Sequence, residues 1–241
     1  MSIGTLLEDL TWLEAEKALH ENAIIVIPLG AAAKEHGPHL KLNNDWRIAE
    51  YLKARVLEAA DVVVAPTVSY HYYPAFVEYP GSTSLSHETA CNLIVDICRS
   101  LAKFGPKRFY VINTGVSTMS PLAAAANVLF EEGITLDYTD ILTAIKSIGA
   151  EVCEQQGGTH ADETETSMML YIAPGTVDMS QAVEDYDAKG SGPLSRTPGK
   201  GKYSPTGVFG NATLATREKG GKIVEALVTE ILADIETLRE H

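Results

Sequence analysis

Short apolar runs rich in β-branched residues alternate along this chain with longer segments whose apolar residues recur every three or four positions. Ala23 to Leu29 (AIIVIPL), Val62 to Val68 (VVVAPTV), Arg108 to Asn113 (RFYVIN) and Ile134 to Tyr138 (ITLDY) are the strand candidates. Continuous apolar runs of this length suit strands covered on both faces, as in a parallel sheet. Helical periodicity marks Trp46 to Ala60, Ser86 to Phe104, Met119 to Glu131, Ile141 to Glu154, Glu163 to Ile172 and Thr216 to Arg239. Ser86 with Glu88 and Thr216 with Glu218 are N-terminal helix signals. Residues 1–19 read as one more amphipathic helix. The alternation predicts an α/β fold with helices on both faces of a mostly parallel sheet, in one domain over residues 1–241. Only Lys189 to Ser204 (KGSGPLSRTPGKGKYS) lacks periodicity. It is expected to be a surface loop, with a lid or an intersubunit arm as the sharper reading.

Composition narrows the partners. Nineteen Lys and Arg face 32 Asp and Glu, a formal charge of −13 over 241 residues, which argues against nucleic acid and anionic membrane surfaces. No apolar run approaches the ~20 residues that span a bilayer. The N-terminus lacks the basic and apolar regions of a signal peptide, so a cytoplasmic location is expected. Cys91, Cys98 and Cys153 are odd in number and lack CxxC spacing, pointing to buried thiols rather than disulfides or a structural zinc site.

In open α/β sheets ligands sit beyond the carboxyl ends of the strands. There the chain carries LGAAAKEHGPHLKLNND (29–45), TVSYHYYPAFVEYPGS (67–82) and NTGVST (113–118). Glu35, His36, His39 and Asp45 place two imidazoles and two carboxylates in eleven residues, with Gly37 and Pro38 turning the backbone between them. Such a set suits Zn²⁺, Mn²⁺ or Fe²⁺; it also suits a polar loop whose histidines bond backbone carbonyls. A second cluster, GGTHADETETS (157–167), opens an apolar helix. His160 after two glycines is a candidate general acid or carbonyl polariser. Asp162 and Glu165, three apart, could share a helix face, although acidic residues in a first helical turn also simply complement the helix dipole. His71, among Tyr70, Tyr72 and Tyr73, is either a pocket residue or part of an aromatic core. GxSxG, Walker and post-strand GxGxxG sequences do not occur.

Taken in order, IPLG (27–30) with EHGPHL (35–40) and Asp45, PGSTSLS (80–86), YVIN (110–113), THADETETSMML (159–170) and GVFGNATLATREKG (207–220) resemble the creatininase family of metal-dependent amidohydrolases. The resemblance implies a Rossmann-like three-layer fold, a hexamer, and a two-metal site that hydrolyses a cyclic or linear amide. Its ligands map onto His36 and Asp45, with Glu35 as the third. The family's first ligand, a Glu two residues before the His, is Lys34 here, and the His and Glu expected after the third strand are Gly115 and Ser117. One ion rather than two is therefore expected. The family's substrate loop maps onto 157–160, so Gly158 and Thr159 are substrate-binding candidates with His71, and His160 and Glu165 are catalytic candidates. The family's substrate-loop tryptophan is missing, which argues against creatinine itself. The expected function is cleavage of a C–N amide bond in a small molecule by a homo-oligomer. The alternative is a catalytically silent relative that binds a small ligand or scaffolds a complex.

Overall fold

The computed structural model describes residues 3–185 and 192–240. In chain order these form β1 (Thr5–Leu6), α1 (Trp12–Ala18), β2 (Ile24–Leu29), α2 (Asn44–Ala59), β3 (Val63–Val64), α3 (His87–Ala102), β4 (Arg108–Asn113) and α4 (Met119–Phe130). There follow β5 (Thr135–Tyr138), α5 (Ile141–Val152), α6 (Glu163–Ile172), β6 (Glu184–Asp185), β7 (Leu194–Ser195), β8 (Lys202–Tyr203), β9 (Gly210–Asn211) and α7 (Arg217–Glu240).

A five-stranded sheet of order β1-β3-β2-β4-β5, parallel throughout, divides the molecule. Side chains alternate across a strand, so each central strand feeds two cores. Ile24 and Val26 of β2 with Tyr110 and Ile112 of β4 pack on Leu52 and Val56 of α2, Met168 and Met169 of α6, and the Ile223–Leu238 face of α7. Ile25, Ile27 and Leu29 with Phe109 and Val111 pack on Ile94 and Cys98 of α3 and Leu122 and Leu129 of α4. The result is the expected three-layer arrangement.

Three sequence expectations need correction. The N-terminus is not one helix: Thr5 and Leu6 pair with Val63 and Val64, and the helix is confined to Trp12–Ala18 by a Thr11 and Glu14 capping box. The Val62 to Val68 run forms ladder only over Val63–Val64, with one further bridge from Val68 to Leu29. Of the anticipated surface loop, Lys189 to Ser191 lie outside the described residues, while 192–204 carry the parallel pair β7 and β8 and place Leu194 and Lys202 on the wall of the main cavity. No described helix is long and apolar enough to cross a membrane.

Candidate active site

A cavity of about 280 Å³ opens beyond the carboxyl ends of β2 and β4, lined by Lys34, Tyr73, Phe76, Thr114 to Ser117, Gln155, Gly158 to His160, Glu165, Leu194, Lys202 and Phe209, among others. The loop after β2 supplies its charged floor. Gly30 begins that loop directly against the Asp45 backbone, where a Cβ would collide with the Asp45 carbonyl. This close approach puts the first turn of α2, and with it Asp45, over the strand end.

His36 donates from Nδ1 to the Lys34 carbonyl at 2.9 Å, and its Nε2 lies 2.6 Å from Asp45 Oδ1. The Nδ1 bond fixes the ring, so Nε2 is the atom that His36 turns toward Asp45. Lys34 Nζ lies 2.6 Å from the other Asp45 oxygen, with both side chains buried. Burial alone would raise the Asp45 carboxyl, but His36 and Lys34 outweigh it and hold the group well below the usual carboxylate range. Burial likewise opposes the Lys34 ammonium, and the charges of Asp45, Glu165 and Glu35 overcome it, leaving Lys34 above its ordinary value.

His160 enters from the other side. Its backbone pairs antiparallel with Phe209, and the next residue, Ala161, sits in the left-handed region at φ +47°. Strain of this kind at a non-glycine residue is characteristic of functional loops. His160 Nε2 is 2.9 Å from the Glu35 carbonyl and 3.1 Å from Glu35 Oε2, while Nδ1 is 3.6 Å from Glu165 Oε2. The Phe76 ring covers His160 with centroids 4.3 Å apart. Glu165 accepts the Ala161 amide at 2.6 Å, and burial pushes its carboxyl up to about 7 against the opposing pull of His160 and Lys34.

The structure thus brings His36, Asp45, His160 and Glu165 together, with Gly158 and Thr159 on the cavity wall. Glu35 is not brought into the group of His36, His160 and Glu165. The turn at Gly37, φ +68°, folds its amide back onto the Glu35 carboxylate, which braces His160 instead. Nor does His71 reach the cavity. It is fully enclosed, Nε2 donating to the Ala90 carbonyl at 3.2 Å, as the aromatic-core reading had it. His39 is turned away, 2.7 Å from Thr166 Oγ1. Asp162 caps α6 by accepting the Thr164 and Glu165 amides, and buried Glu163 pairs with Lys219, so both serve the helix start. Residue-level reading missed Lys34 as a member of the site, along with Phe76. The signal available was a lysine on the ligand-rich loop, which only the fold turns inward.

Donor chemistry decides what the site can hold. One ligand atom each from His36, His160 and Glu165 lies within 4.8 Å of the others, which fits one divalent ion after slight closure. Among the described residues no second group of such donors forms. The end of β4 supplies Asn113, whose amide is spent on Gly115, Thr118 and Thr139, and then Gly115, Val116 and Ser117. On the far side of Asp45 an ammonium already occupies the carboxylate oxygen.

Comparison with known proteins agrees with this frame. A mycofactocin precursor peptide peptidase of Mycolicibacterium smegmatis is 30% identical over 214 residues, covering 85% of this chain and 81% of that protein. A creatinine amidohydrolase of Pseudomonas putida is 27% identical over 257 residues, covering 96% of each. A solved creatininase with Mn superposes at a TM-score of 0.78 with 26% identity, over 96% of this chain and 97% of that one. The family model described as creatininase, creatinine amidohydrolase, matches residues 8–235. With its fold, its loop order and nearly its whole length accounted for, the chain belongs to the creatininase family.

Proposed function

We propose that this protein hydrolyses a C–N amide bond of a small molecule and works with a single divalent ion of Zn, Mn or Fe. The observation that carries this reading is the convergence of His36, His160 and Glu165, with Asp45 2.6 Å from His36 and with His160 and Glu165 lining the cavity. The relatives named above, a peptide peptidase and a creatinine amidohydrolase, both break C–N bonds. His36 and Glu165, whose donor atoms lie within 4.8 Å of each other, would hold the ion, with Asp45 behind His36. Such an ion supplies Lewis acidity and a more acidic water. His160 has Nε2 committed to the Glu35 carbonyl, so Nδ1, beside Glu165, is the atom that moves a proton to the leaving nitrogen. Gly158 and Thr159 line the approach, and Phe76 keeps water from the inner face of His160.

One observation favours a second reading, a silent binder: Asp45 is already neutralised by Lys34, and the end of β4 carries no ligand. Metal analysis after supplementation, combined with hydrolysis assays on a panel of small amides, separates the two. The hydrolase holds about one equivalent of metal and turns over. His36→Ala is expected to abolish metal binding, whereas His160→Ala should lower turnover far more than metal content. Absence of both metal and turnover in the supplemented protein would leave the binder. We infer further that the chain works in the cytoplasm, consistent with three free cysteines, and as a symmetric oligomer larger than a dimer.

A further inference from the structure

Lys34 is a charge that amide hydrolysis with one ion does not by itself require. Its ammonium is buried, 2.6 Å from Asp45 Oδ2, and lies 4.7 Å from the centroid of the Phe76 ring and 5.8 Å from that of Tyr73. Ring faces attract a cation but accept no ordinary hydrogen bond. An ammonium has three N–H donors, and among the described residues Asp45 is the one ion-pair partner of Lys34. Lys34 lines the cavity, so its remaining donors have the cavity to serve. A second observation stands apart from the first. Tyr73 lines the same cavity, is 2% exposed, and its hydroxyl has no hydrogen-bond partner among the described residues. Buried polar groups left without a partner are rare and call for an explanation. The spare N–H groups of Lys34 and the unpartnered hydroxyl of Tyr73, in one pocket, are explained together by a ligand oxygen.

Asp45 is bound on both sides. Oδ1 faces His36, where an ion can enter, and Oδ2 faces Lys34, where a dication would sit against an ammonium in a medium that screens poorly.

We propose that Lys34 is a resident cation of the site: it closes the outer oxygen of Asp45 to metal and, with the Tyr73 hydroxyl, receives the carbonyl oxygen of the ligand. If the proposed hydrolysis operates, water adds to the carbonyl carbon and gives one proton to His160 Nδ1, while the C=O π pair moves onto the oxygen held by Lys34 and Tyr73. Collapse then breaks the C–N bond, with the proton from His160 leaving on nitrogen, and yields a carboxylic acid and an amine. Oxyanion stabilisation by fixed donors is an established source of rate. The docking claim rests on the amide reading; the cation claim does not.

The test uses the intact protein, with Zn²⁺ or Mn²⁺ alone as one probe and acetate, which carries the oxygen pattern of the product, as the other. Wild type is expected to bind no more than one ion, and Lys34→Glu to gain one equivalent that is lost again in Lys34→Glu/Asp45→Asn. A second ion held equally well by wild type, or no gain in Lys34→Glu, would overturn the cation role whether or not any amide is cleaved. Acetate affinity should fall at least about fivefold in Tyr73→Phe, and the ligand-free Tyr73→Phe protein should melt no lower than wild type because its hydroxyl has no partner to lose. Unchanged acetate affinity, or a clearly lowered melting temperature, would overturn the docking role. Because Lys34→Met alone leaves Asp45 half compensated, Lys34→Met/Asp45→Asn serves as the neutral reference, and acetate binding should disappear in it. Persistent binding there also counts against docking.

Discussion

His39 and His71 show how far one residue's surroundings can depart from what its type suggests. Each ring is buried with one nitrogen bonded, His39 to Thr166 Oγ1 and His71 to the Ala90 carbonyl, and each has an Nδ1 without a partner. Protonating that nitrogen would bury an N–H with no acceptor, and burial accordingly lowers both groups from 6.5 to about 4. The unfolded chain takes up these protons below pH 6.5 while the folded chain resists until about 4. Stability is therefore fully present above 6.5 and is lost as pH falls toward 4, by up to roughly 3 kcal/mol per residue. Urea midpoints measured at pH 7 and 4.5 should show this loss. His71→Gln, which keeps a donor for the Ala90 carbonyl and does not titrate, should make the decline shallower. An equal decline in that variant would mean that His71 is not one of the groups responsible.

Between elements, α6, which follows the His160 loop, packs closely on α7. Gly220 of α7 meets the backbone of Ser167 in α6 so closely that a Cβ there would strike the Ser167 carbonyl. At the adjacent Gly221 a Cβ would meet only the Tyr171 side chain, at 3.3 Å, a tight contact that a shift of that ring by a few tenths of an ångström relieves. Two neighbouring glycines thus predict opposite results. Gly220→Ala should push the helices apart and cost about 2–3 kcal/mol, whereas Gly221→Ala should be neutral or stabilising through better helix propensity, by about 0.5 kcal/mol. Thermal unfolding of the two single variants checks this, and equal effects would mean that the close approach does not govern the packing. Asp162 adds a second control at this level. Its carboxylate caps α6 on two amides, so Asp162→Ala is expected to lower stability by about 1 kcal/mol and to loosen Glu165 in the first turn.

For the whole molecule, the open question of assembly meets a surface with several uncovered aromatic side chains. Trp12 is 73% exposed, Phe104 63% and Phe130 73%. Scattered exposed apolar residues are ordinary on monomers, so the expectation of an oligomer rests on family membership, with these side chains as candidates for the contact. Light scattering across micromolar concentrations should give a mass above twice the 26.0 kDa of the chain. A constant mass of one chain would refute the assembly. Trp12→Ser and Phe104→Ser in an oligomeric protein should shift that mass downward if these side chains are buried between subunits.

The strands β2, β4 and β5 and the six longer helices were legible from periodicity because a sheet covered on both faces demands continuous apolar runs, and helices on its faces demand stripes. The ordered motifs from 27 to 220 identified the family, and the replacements Lys34, Gly115 and Ser117 carried the expectation of an altered metal centre. Those inferences depend on residue type and order, which sequence carries in full. The two-residue strand β1 was not legible, since Thr5 and Leu6 are extended only because β3 lies beside them. The same holds for the aim of individual side chains. Glu35 and His36 are neighbours in sequence, yet the Gly37 turn sends one to brace His160 and the other to Asp45. Lys34 and Tyr73 are 39 positions apart and reach one cavity only through the crossing of the loops after β2 and β3. Direction, burial and the partner of each charge are set by contacts distant in sequence, and those the tertiary structure alone decided.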